Sequence, residues 1–287
     1  MTDQFNDQVE YEFDWQNPNY SKPQYQVGRV LSRTFAGVFT QWKPILVAFI
    51  CFVALQVLLG LLSFAITGQT GLEDDIFSNS NAVIYIIVSI ISTLFIFVGF
   101  VFTMIVTDAA VYSKYTNQQQ TMKALLQKGL KKCVPLFFGG VFFIFAYLLG
   151  SLFFLIPGLF IYFGWGIFGP IYVNEDKPLT ESFGRSWGLM QGYKRWFFLA
   201  SIIMGILIYI VLVVLIVIFV LIYGTILYNP ESLEEMSLVS SLIFSLVFVV
   251  IFILPLLFQV SFTTANYLEV KELKEGTLQA NTAAIFS

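Results

Sequence analysis

The chain has 287 residues, of which 57% are hydrophobic and only 11% charged, against about 25% charged in an ordinary soluble domain. With a mean hydropathy of +0.80, its polar residues cannot cover a soluble core of this size, so lipid is the solvent for most of the polypeptide. A soluble enzyme and a disordered tail protein are excluded, and the net charge of −3 argues against a nucleic-acid partner.

Residues 1–27 hold Asp3, Asp7, Glu10, Glu12 and Asp14 with Pro18 and Pro23. This composition reads as a disordered acidic tail, not as a cleaved signal, which needs a basic start and an apolar middle. Beyond it, five runs are long enough to cross a bilayer core of about 30 Å as helices: 45–67, 82–107, 136–156, 197–223 and 238–262. A sixth, 159–173, is shorter and follows the third across Pro157-Gly158. A single helix over 136–173 would reach about 60 Å, twice the core thickness, so this stretch reads as a helical hairpin. Residues 277–287 read as a flexible tail.

All 15 Lys and Arg residues fall before the first run, between the second and third, between the fourth and fifth, or after the sixth. The other connections carry Glu73, Asp74, Asp75, Glu231, Glu234 and Glu235 instead. Under the positive-inside rule both termini are expected in the cytoplasm.

Each basic segment ahead of a hairpin reads as an amphipathic helix, with apolar residues three and four apart on one stripe. In 28–42 these are Leu31, Phe35, Val38, Phe39 and Trp42, opposite Arg29 and Arg33. In 119–133 they are Met122, Leu125, Leu126, Leu130 and Cys133, opposite Lys123, Gln127, Lys128, Lys131 and Lys132. In 179–192 they are Leu179, Phe183, Trp187 and Met190, opposite Glu181 and Arg185, which are spaced to pair across one turn. The first and third copies align without a gap, Ser32-Arg33-Thr34-Phe35 over Gly184-Arg185-Ser186-Trp187. Together these patterns predict an all-α polytopic bundle over 28–276: six transmembrane helices as three hairpins, each preceded by an interfacial amphipathic helix.

Residues for chemistry are scarce. The chain has no His, which removes the commonest metal ligand and general base. Cys51 and Cys133 are too few for a disulfide framework and read as small packed hydrophobes. None of the six runs holds an ionisable residue, and Asp108, at the end of the second, reads as a solvated helix end. No catalytic residue, metal site or cofactor is expected, and the chain reads as a non-enzyme.

Two groups of residues remain as candidate sites. Arg29, Arg33, Lys123, Lys128, Lys131, Lys132, Arg185, Lys194 and Arg195 are candidates for contact with anionic lipid or a partner, at about 1 kcal/mol per cation near the surface. Gly158, Gly164, Gly166, Gly169 and Pro170 either let helices pack closely or form a broken helix lining a substrate path. Pro255 is expected to kink the sixth run. Membrane lipids, another copy of the chain or a second membrane protein are the expected partners.

The runs Leu155-Ile-Pro-Gly158, Pro170-Ile-Tyr-Val-Asn-Glu175, Leu179-Thr-Glu-Ser182, Arg185-Ser186 and Tyr267-Leu-Glu-Val-Lys-Glu-Leu-Lys-Glu-Gly276 resemble a known family. It is the bacterial six-span membrane domain of the glycerophosphoryl diester phosphodiesterase membrane-domain and YciC-like type, over roughly 27–276. The family's terminal segment is more basic, with Arg where this chain has Val270 or Leu273. The resemblance implies a fold and an address, the bacterial inner membrane, and no reaction. The expected role is to organise lipids or a partner complex in envelope homeostasis. The alternative is a transporter or channel component for a small or apolar solute.

Overall fold

In hydrocarbon, a backbone without water must satisfy its hydrogen bonds internally, and a run of Leu, Ile, Val and Phe does so as an α-helix. The computed structural model describes residues 24–67, 82–116, 118, 120–153, 155–228 and 238–275, with side chains described outside 60, 63–67, 82, 84–85, 153, 155, 222–228, 238–250 and 252. Among the described residues it contains nine α-helices: α1 Val27–Thr40, α2 Trp42–Thr67, α3 Ala82–Tyr115, α4 Met122–Phe153, α5 Leu155–Trp165, α6 Phe168–Asn174, α7 Leu179–Met190, α8 Lys194–Tyr228 and α9 Leu238–Glu275. There is no strand among these residues. The acidic tail before residue 24 and the segment after 275 lie outside the described residues.

Among the described residues, five stretches are long and apolar enough to cross a membrane: Trp42–Leu59, Ile86–Tyr115, Met122–Leu152, Ile156–Asn174 and Lys194–Leu221. The sixth expected run lies on α9, but 238–250 falls outside the described side chains. Large apolar side chains face outward along these helices, among them Leu58, Leu61, Ile86, Phe145, Leu152 and Leu221. In water such a surface would be an aggregation patch; in lipid it is ordinary. The chain is therefore an all-α, multi-pass integral membrane protein.

Among the described residues, the larger cluster of buried side chains lies toward one end of α9. It surrounds the C-terminal half of α9, where Phe262, Ala265, Tyr267 and Leu268 are fully buried among Val30, Ile171, Met190 and Phe197. Helices α1, α3, α6, α7 and α8 all touch α9, and the charged residues of the bundle collect around this charged end.

Several expectations change. The acidic tail does not extend to residue 27, because Tyr25 is buried and α1 begins at Val27. The basic segment 119–133 is not a separate helix but the first turns of α4, which runs on through Pro135. No glycine or polar break follows Cys133, and a lone proline bends a helix more readily than it ends one. Its stripe is rotated from the expected one: Leu125 and Cys133 are buried, Leu130 is exposed, and Lys128 and Lys132 turn inward. On α1 the buried face is Val30, Arg33, Thr34, Gly37 and Val38, while Phe39 and Trp42 face outward. Cys51 is exposed instead of packed, whereas Cys133 is buried.

The 136–173 stretch also differs. Helix α5 begins at Leu155, so Pro157 falls in its first turn, where a missing N–H leaves no bond unmade. Gly158 packs directly on Ser151 of α4. The expected fourth span is then broken at Gly166 and Ile167 into α5 and α6. Ile156 and Phe160 line a hollow with Lys194, Arg195 and Phe198 at the start of α8, and Asn174 reaches Asp108. Along α4, Ser151 meets Gly158, Tyr147 meets Tyr162, Phe143 meets Phe168 and Lys132 meets the Tyr172 and Val173 carbonyls, so α5 and α6 together run antiparallel to α4 with the break between them. Such backbone is tolerated at membrane depth where protein surrounds it or a cavity adjoins it.

Candidate functional site

Two features stand out: an ion-pair hub at the charged end, and a cleft beside the broken segment.

The hub is organised by acids on the last helix. Glu269 and Glu272, three apart, share a face of α9, and α1 lies across that face. Glu269 is fully buried. It takes Arg29 Nε and Nη2, both at 2.7 Å, and the Gln26 backbone N–H at 2.9 Å. Arg33 bridges, with Nη1 3.5 Å from Glu269 and Nη2 2.7 Å from Glu272. On the other side of α9, Arg185 of α7 grips Glu175 with Nε and Nη2 and donates to Glu275 at 2.6 Å. Glu175 also accepts from Tyr267 Oη at 2.7 Å and Lys271 Nζ at 3.3 Å. Burial alone would push the Glu175 carboxyl up; hydrogen bonds from Arg185 and Tyr267 and the Lys271 charge outweigh it and hold it below the ordinary carboxylate value. The hydrogen bond from Lys132 holds the Asp176 carboxyl low in the same way. The residues aligned by the internal repeat, Arg33 and Arg185, thus have matching jobs: each ties its interfacial helix to α9.

Lysines close helix ends here. Lys132 Nζ donates to the Tyr172 and Val173 carbonyls at the end of α6, at 2.8 and 2.9 Å, and to Asp176 at 2.6 Å. Lys274 donates to the Gly188 carbonyl near the end of α7 at 2.6 Å, and Lys114 to Ala36 in α1 at 3.1 Å. Cations at helix C-termini satisfy orphan carbonyls and oppose the dipole.

The expected lipid-contact set therefore divides. Arg29, Arg33, Arg185 and Lys132 are held by acids and carbonyls of the same chain, and half-buried Lys128 reaches Asn174 Oδ1 at 3.4 Å. Lys194 lies 3.7 Å from the Trp187 ring centroid. Lys123, Lys131 and Arg195 are exposed. The local pair Glu181–Arg185 does not form, since Arg185 is taken by Glu175 and Glu275 while Glu181 stays exposed. Lys271, four residues before Glu275, turns instead to Glu175.

The glycines divide as well. Gly158 and Gly164 are packing positions: a Cβ at Gly164 would overlap the Trp187 ring, and Ser186 Oγ donates to the Gly164 carbonyl at 2.9 Å. Gly166, Gly169 and Pro170 line a cleft of about 280 Å³ between α3, α4, α5, α6 and α9. Its walls are mostly apolar, with Phe143 and Phe168, but Tyr162, Gln259, Thr263 and Asp108 also line it. Asp108 is not a solvated helix end: only 3% of it is exposed. Its Oδ1 accepts from Thr264 Oγ1 at 2.6 Å and from Asn174 Nδ2 at 3.3 Å. The sequence reading missed it because Asp108 terminates its run, and the partners that bury it are on α6 and α9.

No protein-family model, curated protein or solved structure matches the chain. The fold and the site define its class: an all-α, multi-pass membrane protein with a charged hub at one end and a cleft next to a broken helix.

Proposed function

We propose that the protein is a non-enzymatic membrane component that binds a small, largely apolar solute in the cleft beside the broken segment, as part of a transport or lipid-organising assembly. One observation carries this reading: Gly166, Gly169 and Pro170 meet a buried carboxylate around one cavity. Broken helices with small residues at such a cavity are the usual setting of solute sites in transporters. Cavities of this kind, mainly apolar with a few polar groups, are the default form of a small-molecule site. The address, the bacterial inner membrane with both termini in the cytoplasm, follows from the family resemblance and from the one-sided cations. A lipid-organising role without the cleft retains only Lys123, Lys131 and Arg195 as free contacts, because the other expected cations are engaged inside the bundle.

The test is photolabelling of the protein in phosphatidylcholine vesicles with a diazirine-bearing alkyl alcohol. Labels are expected on the cleft walls and should be lost with Gly169→Phe, a position where a Cβ meets no neighbour. Labelling confined to the outer faces and unchanged by Gly169→Phe would overturn the reading.

A further inference from the structure

We propose that the ligand is an amphiphile with an ammonium head, its N–H on Asp108 and its aliphatic tail in the groove between α3 and α4. The proposal rests on the cleft being a solute site and names the chemical class that site takes.

The head-group argument begins with the carboxylate. Asp108 Oδ1 has two donors near it, whereas Oδ2 has no hydrogen-bond partner among the described residues. The Thr264 hydroxyl carries one proton and also lies 2.9 Å from the Val260 carbonyl, so it cannot serve both acceptors at once. Among the described residues no cation forms a hydrogen bond or ion pair with Asp108: Lys128 and Lys132 act on it through space, but Lys128 donates to Asn174 and Lys132 is held by Asp176 and two carbonyls. An acceptor at the cleft wall with an unmade bond favours a donor, and a carboxylate largely removed from water favours a cation. An ammonium supplies both, and the faces of Phe143, Phe168 and Tyr162 at the same cleft suit a positive charge.

The tail argument comes from the neighbouring space. A second, larger groove of about 830 Å³ runs between α3 and α4 and is almost wholly apolar. Val101, Met104, Gly140 and Phe143 line both it and the cleft. The same four residues border both volumes, so the groove adjoins the cleft, polar at the Asp108 end and apolar at the other. A molecule filling both carries one cationic donor group and a hydrocarbon chain.

The experiment uses the full chain in phosphatidylcholine vesicles, whose quaternary ammonium has no N–H, with two photoprobes of equal length. One is dodecylamine and the other dodecanol, each with a diazirine near the tail end. The amine is expected to label the α3–α4 groove at about a tenfold lower concentration, the scale of one hydrogen bond to a charged group. Asp108→Asn should abolish that difference. Gly140→Trp, at a position with nothing near its Cβ, should block both probes. Should Asp108→Asn fail to fold, competition by unlabelled dodecylamine against dodecanol on the native protein decides the same point. Equal labelling by the two probes, or better labelling by a dodecanoate analogue, refutes the ammonium head while leaving the cleft as a site. Absence of both probes from the groove refutes the cleft reading itself.

Discussion

Replacing Glu269 with Ala is the sharpest test of the hub. The side chain is fully buried and receives Arg29 in a two-pronged contact, the Gln26 N–H, and Arg33. Removing it leaves a nearly buried Arg33, with 11% of its side chain exposed, one acceptor short, and strands a backbone donor. Removing one partner of a buried ion pair costs about 3–5 kcal/mol. Arg29 is 36% exposed, so water compensates part of its loss and the lower end of that range is expected. The internal comparison is Asp176→Ala: this carboxylate pairs with Lys132, but its side chain is 82% exposed, and such pairs contribute about 0–1 kcal/mol. Equilibrium unfolding in detergent micelles, followed by tryptophan fluorescence and by proteolysis ahead of α2, measures both. If the Glu269 variant loses no more stability than the Asp176 variant, the acids of α9 do not hold α1 and the account of the hub is wrong.

Acidification should weaken the hub from the Glu175 side. Its carboxyl is held below the ordinary value, so the folded state takes up the proton less readily than the unfolded chain. The resulting stability is complete above the unfolded carboxylate range and is lost as pH falls through the folded value; Glu175→Gln should flatten that acid limb in a pH series of unfolding curves. Gly164→Ala pushes a methyl into Trp187 and should destabilise by about 1–3 kcal/mol, whereas Gly188→Ala, with nothing near its Cβ, should be neutral or stabilise by about 0.5–1 kcal/mol, both read by the same unfolding assay. In a Cys51→Ser background, Ile156→Cys should react with a membrane-impermeant thiol reagent only from the side that also labels Arg195→Cys; reaction from the opposite side contradicts the placement of Ile156 beside the start of α8.

The sequence states that this chain lies in a membrane more fully than it states its internal contacts. Uninterrupted apolar runs leave little choice but helices, and α2, α3, α8 and α9 follow them closely, with α9 continuing to Glu275. The alignment of Arg33 with Arg185 was visible from spacing, but their partners were not. An exposed pair four apart, such as Glu181 with Arg185, contributes only a few tenths of a kcal/mol, and it yields to a buried acid elsewhere that has greater need of a cation. The acids at 269 and 272 share a face of their helix, as the bases at 29 and 33 do of theirs, but nothing in the spacing pairs the two faces across 240 residues. Asp108 was not readable, because its burial depends on Asn174 and Thr264. The break at Gly166 was half legible: glycine and proline marked it, but only the contacts of Tyr147 with Tyr162 and of Lys132 with the Tyr172 and Val173 carbonyls show that both halves stay alongside α4.

The clasp between α1 and α9 also orders the protein's biosynthesis. Arg29 and its acceptor are 240 residues apart in the chain, so α1 leaves the ribosome long before α9 and its guanidinium groups have no acid to meet there until that helix is made. Closure of this seam therefore follows the synthesis of α9.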